Sequence, residues 1–157
     1  MPGASYQLWF AVRYVHLASV ALLTGGAVFA AVACDARDSS AVQPDTRAMF
    51  QTALAYEWIF WSVVGVAAAT GISNLGLKGD GLLGPETSWG TALSVKLGAV
   101  LLLLALSFVR SDIVTRCSES PSVDVRVRRV LSVLYGITAL TLFSALWLGL
   151  GLAHGRY

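Results

Sequence analysis

Four long apolar stretches dominate the sequence and constrain its fold more than any other feature. In chain order they cover residues 8–33, 50–77, 87–109 and 130–153. Each is longer than the roughly 20 residues that an α-helix needs to cross about 30 Å of hydrocarbon. Lipid offers no hydrogen bonds to bare backbone, and nothing here alternates as barrel strands do, so each stretch is predicted to be a helix.

Composition agrees with an integral membrane protein and excludes several other classes. Apolar residues make up 56% of the chain and charged residues only 13%, whereas soluble domains contain about 25% charged residues. Two cysteines do not make a disulfide scaffold. A net charge of +2 is too small to indicate nucleic-acid binding, and few charges with many large apolar groups exclude disorder.

The predicted fold is all-α and membrane-embedded: a single domain, residues 1–157, forming an antiparallel up-and-down bundle of four transmembrane helices. The predicted helices cover approximately 8–33, 46–77, 88–112 and 121–154. Asp45 after Pro44, and Ser120 before Pro121, are typical helix starts for the second and fourth helices. Because no basic residue precedes residue 8, we interpret the first stretch as a span and not as a cleaved signal peptide.

The distribution of lysine and arginine predicts the orientation in the membrane. The side of the first and third loops carries seven arginines: Arg37, Arg47, Arg110, Arg116, Arg126, Arg128 and Arg129. The other side carries Lys78 and Arg156. We therefore predict an inner (plasma) membrane protein with both termini outside and with loops 35–49 and 111–129 in the cytoplasm. Its expected surroundings are the lipid bilayer, with other membrane subunits or a second copy of the chain as protein partners and no nucleic acid.

Ionisable residues inside the spans are candidates for function, because a charge in lipid is costly. His16 and Lys96 lie about 8 and about 7 residues inside the outer ends of their helices, which places both about 10–12 Å below the outer surface. Arg13 is one turn nearer that surface than His16, on the same helix face. His154 lies at the outer end of the fourth span.

This arrangement predicts a cofactor or proton site, with haem b as the cofactor. His16 would be the metal ligand and His154 a second axial ligand, while Arg13 and Lys96 would hold the haem propionates. No residue is predicted to be catalytic. The alternative is structural: His16 would hydrogen-bond a neighbouring serine or backbone carbonyl, and Lys96 would extend towards the surface.

Glu57 lies about two turns inside the cytoplasmic end of the second span. It could relay a proton or hydrogen-bond a quinone, but the interpretation we favour is an ion pair with Arg110 or Arg129. Neighbouring aromatic residues are interpreted as a belt at the membrane interface: Tyr56, Trp58 and Trp61.

Three segments resemble a superfamily of small four-helix membrane proteins that includes the CopD-type copper-resistance domain and the HemJ-type protoporphyrinogen oxidases. They are LWFAVRYVHLASVALLTGGAVF (8–29), GVAAATGI (65–72) and WGTALSVKLGAVLLLLAL (89–106). The resemblance implies that His16 matches the helix-one histidine associated with haem binding, and that Lys96 matches the helix-three lysine. Where HemJ-type enzymes carry a Pro-Arg motif, this chain reads FAAVACDAR (29–37), so what the resemblance implies is the scaffold and its polar site.

The function predicted from these observations is that of a small haem b-binding membrane protein, acting in electron transfer or as a subunit of a larger redox complex. Any catalytic role would be that of a membrane oxidoreductase component. One alternative is a copper-handling transport protein of the CopD type, although the chain has no Met-x-x-Met or Cys-x-x-Cys pair. Another is a structural accessory subunit with no cofactor.

Overall fold

The computed structural model describes residues 2–35, 46–77, 87–118 and 124–153, and within these ranges the chain forms four α-helices. The helices are α1 (Pro2–Asp35), α2 (Thr46–Leu77), α3 (Ser88–Ser118) and α4 (Val125–Ala153). All four are long and apolar enough to cross a membrane. The prediction of an all-helical chain with four candidate membrane spans is therefore confirmed.

Two helices extend beyond the ranges predicted for them. α1 begins at Pro2, and α3 continues through polar residues to Ser118. Segment 111–129, which we predicted to be a loop, is therefore helical from 111 to 118 and again from 125 onwards. The longer α3 carries its last turns, with Arg116, past the apolar stretch.

The start of α4 is set by an aspartate. The Oδ1 atom of Asp124 accepts a hydrogen bond of 2.9 Å from the backbone N–H of Arg126, so Asp124 satisfies one of the free donors at the helix start. The helix begins at Val125, later than predicted. The helix-start residues that we predicted, Asp45, Ser120 and Pro121, lie outside the described residues.

Each helix packs against the helices that neighbour it in the chain, and α1 also packs against α4, so the described helices form a closed ring. On α1 and α2 the contacts run in opposite order. His16 lies against Ala67, whereas Leu23, further along α1, accepts a hydrogen bond of 3.0 Å from the Tyr56 hydroxyl, further back on α2.

The centre of the ring is narrow and combines small residues with aromatic rings. Ala27 and Ala30 of α1 are buried, and they leave room for the buried rings of Tyr56 and Phe60 from α2. Gly26 extends this space, because a Cβ at that position would lie only 2.6 Å from the Tyr56 ring. Close approach of α1 and α2 therefore depends on the small residues of α1.

The outer surface of the bundle is apolar. Within the most apolar window of each span, only 28%, 11%, 11% and 28% of the residues are buried, from α1 to α4. Large apolar side chains such as Phe29, Leu101 and Leu140 are about two-thirds exposed. A soluble monomer rarely exposes contiguous apolar surface of this kind, so the outer surface is suited to lipid.

Candidate functional site

Polar side chains inside the bundle gather at two levels. The carboxylate layer consists of Glu57, Trp61, Arg110, Ser111, Tyr135 and Thr138. The imidazole layer consists of His16, Thr70 and Lys96. At 1.5 Å per residue along α2 and α3, the two layers are about 20 Å apart. Residues between them are mostly apolar, among them Phe60 and Leu103.

His16 is held against α2 by its Nδ1 atom. Nδ1 lies 3.0 Å from the carbonyl oxygen of Ala67 and 3.2 Å from the Thr70 hydroxyl. A carbonyl oxygen only accepts, so Nδ1 carries the proton and donates it, and the lone pair is left on Nε2. The half-buried ring fits here because Gly71 has no side chain, since a Cβ there would lie 3.3 Å from Cε1 of His16.

Lys96 lies at the same level on α3. Its half-buried side chain packs against Gly149 of α4, where a Cβ would lie 2.9 Å from the ammonium nitrogen. Its positive charge is close enough to act on the His16 imidazole. Among the residues that the structure describes, no ion pair neutralises Lys96. A protonated Lys96 would therefore have no carboxylate partner among the described residues.

The other two predicted site residues are not brought to this pair by any described contact. The Arg13 guanidinium lies over the ring of Trp9 on its own helix, with 5.2 Å between Cζ and the ring centroid, as in a cation–π contact. His154 lies outside the described residues. Within the described ranges, no group of three or more His, Cys, Asp or Glu side chains could hold a metal ion.

The carboxylate layer is built around one buried ion pair. The Nε of Arg110 donates to Oε1 of Glu57 at 2.7 Å, and its Nη2 donates to Oε2 at 3.1 Å. Each carboxylate oxygen accepts a second hydrogen bond, Oε1 from the Tyr135 hydroxyl at 2.8 Å and Oε2 from the Ser111 hydroxyl at 2.5 Å. The Glu57 carboxylate is thus saturated by four donors, although only 7% of its side chain is exposed.

Further contacts enclose the Arg110 guanidinium. Its Nη1 donates to the Thr138 hydroxyl at 2.7 Å, and Trp61 donates to the Ser111 hydroxyl at 3.0 Å. Three aromatic rings surround it with Cζ–centroid distances of 4.7, 4.8 and 5.3 Å: Phe60, Tyr135 and Tyr56. The network joins α2, α3 and α4, and the Tyr56 hydroxyl connects it to α1.

These contacts decide several predictions. The ion pair of Glu57 with Arg110 is confirmed. Counting Arg110 among the loop arginines was wrong, because its side chain is fully buried in the bundle. The aromatic belt was wrong for two of its members, since Tyr56 is buried and Trp61 bonds into the network, whereas Trp58 is 77% exposed.

Four members of the carboxylate layer were not predicted to belong to a buried network: Trp61, Ser111, Tyr135 and Thr138. Tyr135 and Thr138 lie in the fourth apolar stretch, which has no charged residue, and they share a helix face because they are three residues apart. That spacing was visible in the sequence, but neither residue type is unusual in a membrane helix. Only their position opposite Glu57 and Arg110 reveals the network.

Comparison of the chain with protein-family models, with curated proteins and with solved structures gives no match. The resemblance to the CopD- and HemJ-type superfamily, together with the cofactor that it implies, therefore stays a prediction. Any function must be inferred from the two polar layers themselves.

Proposed function

We propose that this chain is a multi-pass membrane protein that binds haem b in the imidazole layer, with His16 as axial ligand. It would act in electron transfer or as a subunit of a larger membrane redox complex. The observation that carries the proposal is the hydrogen bond from Nδ1 of His16 to the Ala67 carbonyl oxygen. A metal-ligating histidine almost always donates its other ring N–H in this way, which fixes the ring and leaves Nε2 for the metal.

The charge of the layer supports the same ligand. Lys96 is half-buried at the level of His16 and has no described carboxylate partner. Haem b carries two propionates, and an ammonium held in a low-dielectric site favours such anions. Arg13 would provide a second cation one turn nearer the end of α1, and His154 a second axial ligand.

We infer that the bundle is antiparallel and of up-and-down type. Support comes from the order of contacts between α3 and α4. Lys96, early in α3, packs on Gly149, late in α4. Arg110, later in α3, donates a hydrogen bond to Thr138, earlier in α4. The opposite order of the α1 and α2 contacts agrees with this inference. In an antiparallel bundle, His16 and Lys96 lie in the same half of the membrane.

We further propose an inner (plasma) membrane orientation with both termini outside. With Arg110 removed from the count, the end of the bundle near loops 35–49 and 111–129 still carries most of the arginines. Those in the described ranges are Arg47, Arg116, Arg126, Arg128 and Arg129. A reporter fused after Tyr157 should be active outside the cytoplasm. Activity of that fusion in the cytoplasm would reject this orientation.

The haem proposal is tested by the visible spectrum of the full-length protein purified from a haem-supplemented culture. We expect a Soret band in the wild type and its loss in His16→Ala, because the axial ligand is removed. Tyr14→Ala is the matched control, since Tyr14 is an exposed aromatic residue half a turn away on the same helix. It should keep the band. Lys96→Gln should weaken haem binding less than His16→Ala, because it removes only one charge-assisted contact.

Two results would reject the proposal. The first is a colourless wild-type protein that nevertheless shows the helical content of a folded bundle. The second is a Soret band that survives unchanged in His16→Ala, which would place any bound haem elsewhere. After the first result the accessory-subunit function, which needs no cofactor, accounts better for the fold. After the second, the haem site would lie away from His16.

A further inference from the structure

A groove with basic and apolar walls lies on α4, at the end of the bundle opposite the imidazole layer. It has a volume of about 450 Å³. Its described lining comes from almost three turns of α4: Val125, Arg126, Arg129, Val130, Val133 and Leu134. The two arginines come first along the helix, and the apolar side chains continue from them towards the middle of the span.

A second groove of about 280 Å³ adjoins the first between α3 and α4. Arg126 and Val130 line both grooves, so the two share a wall. The second groove adds Arg116 and apolar side chains that include Ile113 and Val127. Each groove thus combines arginine with apolar walls.

Within the described ranges, no ion pair neutralises the arginines of the first groove. Arg116 is paired with Asp112 at 2.9 Å. In contrast, Arg126 and Arg129 are exposed and have no ion-pair partner within the described ranges. The nearby Asp124 carboxylate is occupied in capping the helix, where it accepts a backbone N–H. The two guanidinium groups are therefore available to an anion.

Along α4 the charged residues come before the apolar ones, which is the order of headgroup and acyl chain in a lipid molecule that lies along the helix. Arg126, Arg129, Val130 and Val133 follow the spacing that places residues on one helix face. Val133 lies about 10 Å deeper along the helix than Arg126. Val130 and Val133 are 48% and 55% exposed, so the apolar part of the face points out of the bundle. A phosphate near the arginines would therefore direct an attached acyl chain along the valines.

We propose that this groove is a binding site for an anionic phospholipid, with its phosphate at Arg126 and Arg129 and an acyl chain along Val130 and Val133. Basic pockets on the cytoplasmic side of membrane helices are suited to anionic headgroups, and each arginine near the surface favours them measurably. The site is separate from the imidazole layer, and the proposal does not depend on haem binding.

Native mass spectrometry of the detergent-solubilised full-length protein tests the proposal. The protein is mixed with equal amounts of dioleoyl-phosphatidylglycerol and dioleoyl-phosphatidylcholine, and the lipid that stays bound is counted. The wild type should retain the phosphatidylglycerol preferentially. Arg126→Gln and Arg129→Gln should each reduce that retention by about fivefold. Arg47→Gln is the matched control, because it removes the same charge at the same end of the bundle, away from the groove.

Further measurements distinguish a lipid site from a general charge effect and from a site for a free anion. Inorganic phosphate at the concentration of the lipid should not displace it, and Val133→Ser should weaken retention although no charge changes. Equal retention of the two lipids would overturn the proposal. So would an equal loss in Arg47→Gln, which indicates a general charge effect, or full displacement by phosphate, which indicates an anion site without an acyl chain. Far-ultraviolet circular dichroism of each variant checks that the helices remain folded.

Discussion

The carboxylate layer and the imidazole layer differ in how completely their polar groups are satisfied. In the carboxylate layer, Glu57 receives four donors and is paired with the fully buried Arg110. In the imidazole layer, the described hydrogen bonds of His16 all involve Nδ1, and Lys96 has no described ion-pair partner. Among the described residues, one layer is closed by paired charges and hydrogen bonds, whereas the other is open.

This difference follows from burial. Removing two charges from water costs several kcal/mol per ion, so a fully buried pair persists only when its remaining donors and acceptors are also satisfied. The imidazole layer holds no described ion pair of this kind, and its groups are only half-buried within the bundle. The carboxylate layer therefore links α2, α3 and α4 through hydrogen bonds, whereas the imidazole layer is where we propose that a ligand binds.

The largest expected effect comes from breaking the closed layer. Arg110→Met leaves the Glu57 carboxylate buried without its counter-charge, and we expect a loss of about 3–5 kcal/mol in the free energy of unfolding. The measurement is SDS-titrated unfolding in mixed micelles, followed by far-ultraviolet circular dichroism. His16→Ala, which removes a half-buried group from the open layer, should cost clearly less.

A double-mutant cycle identifies the ion pair as the cause. The variant with both Glu57→Met and Arg110→Met has no unpaired charge, so it should be more stable than either single variant. Additive losses would mean that the two residues act independently. That outcome would contradict the view of the carboxylate layer as one closed unit.

The sequence predicts a polar layer only as far as the layer contains ionisable residues within apolar stretches. Ionisable residues inside apolar stretches are visible in any sequence, so His16, Lys96 and Glu57 could be proposed directly. The ion-pair partner of Glu57 was predicted only as Arg110 or Arg129. The depth of His16 and Lys96 also follows from counting residues along ideal helices. The four spans could be predicted because their length and hydropathy leave few alternatives in lipid.

Rotation of each helix about its axis could not be predicted in the same way. Tyr56 and Trp61 are aromatic residues near a helix end, a pattern that the membrane interface explains equally well. Tyr56 turns inwards over the Arg110 guanidinium, into the space beside Gly26, and Trp61 turns inwards to donate to the Ser111 hydroxyl. These contacts form between helices, so the hydropathy of a single helix does not predict which of its faces turns inwards.

A smaller effect is expected from removing one donor of the closed layer. Tyr135→Phe deletes the hydroxyl that donates to Oε1 of Glu57 at 2.8 Å. Hydrogen bonds to charged groups contribute about 1.5–3 kcal/mol, and we expect a loss of that size in the same unfolding measurement. Tyr14→Phe is the control, because Tyr14 is 66% exposed, and it should change stability by less than about 0.5 kcal/mol. Equal effects in the two variants would show that the Tyr135 hydroxyl does not stabilise the carboxylate.

Two neighbouring glycines of α1 test how rigid the packing beside the closed layer is. Gly26→Ala places a Cβ 2.6 Å from the Tyr56 ring. That ring is held by the hydrogen bond from its hydroxyl to the Leu23 carbonyl oxygen and by an edge-on contact with the Tyr135 ring, with 5.4 Å between the ring centroids. Because that ring cannot move freely, we expect a loss of about 1–3 kcal/mol. Gly25→Ala meets nothing within 4 Å and should be neutral or stabilising by up to about 1 kcal/mol.

The corresponding glycine beside the open layer should respond differently. Gly149→Ala places a Cβ 2.9 Å from the Lys96 ammonium, which ends a flexible chain and can move aside. We therefore expect little change in unfolding free energy, together with weaker haem binding if Lys96 holds a propionate. Destabilisation of Gly149→Ala as large as that of Gly26→Ala would show that the two layers are equally rigid.

The smallest change in unfolding free energy is expected for a substitution of Ser107, and its sign matters more than its size. This residue is fully buried one turn before Ser111 on α3, and its hydroxyl has no hydrogen-bond partner among the described residues. Other buried or half-buried hydroxyls, such as those of Ser19 and Thr24, donate to the carbonyl four residues earlier. An unsatisfied buried hydroxyl costs free energy, so Ser107→Ala should leave stability unchanged or raise it by up to about 1 kcal/mol.

Ser111→Ala is the matched comparison for Ser107→Ala, since it makes the same chemical change on the same helix. The Ser111 hydroxyl donates to Glu57 and accepts from Trp61, so its removal should cost about 1–3 kcal/mol. Opposite signs for the two serines would show that the closed layer ends at Ser111. If Ser107→Ala destabilises as much as Ser111→Ala, the Ser107 hydroxyl has a partner such as a buried water, and the satisfied network extends one turn further towards the imidazole layer.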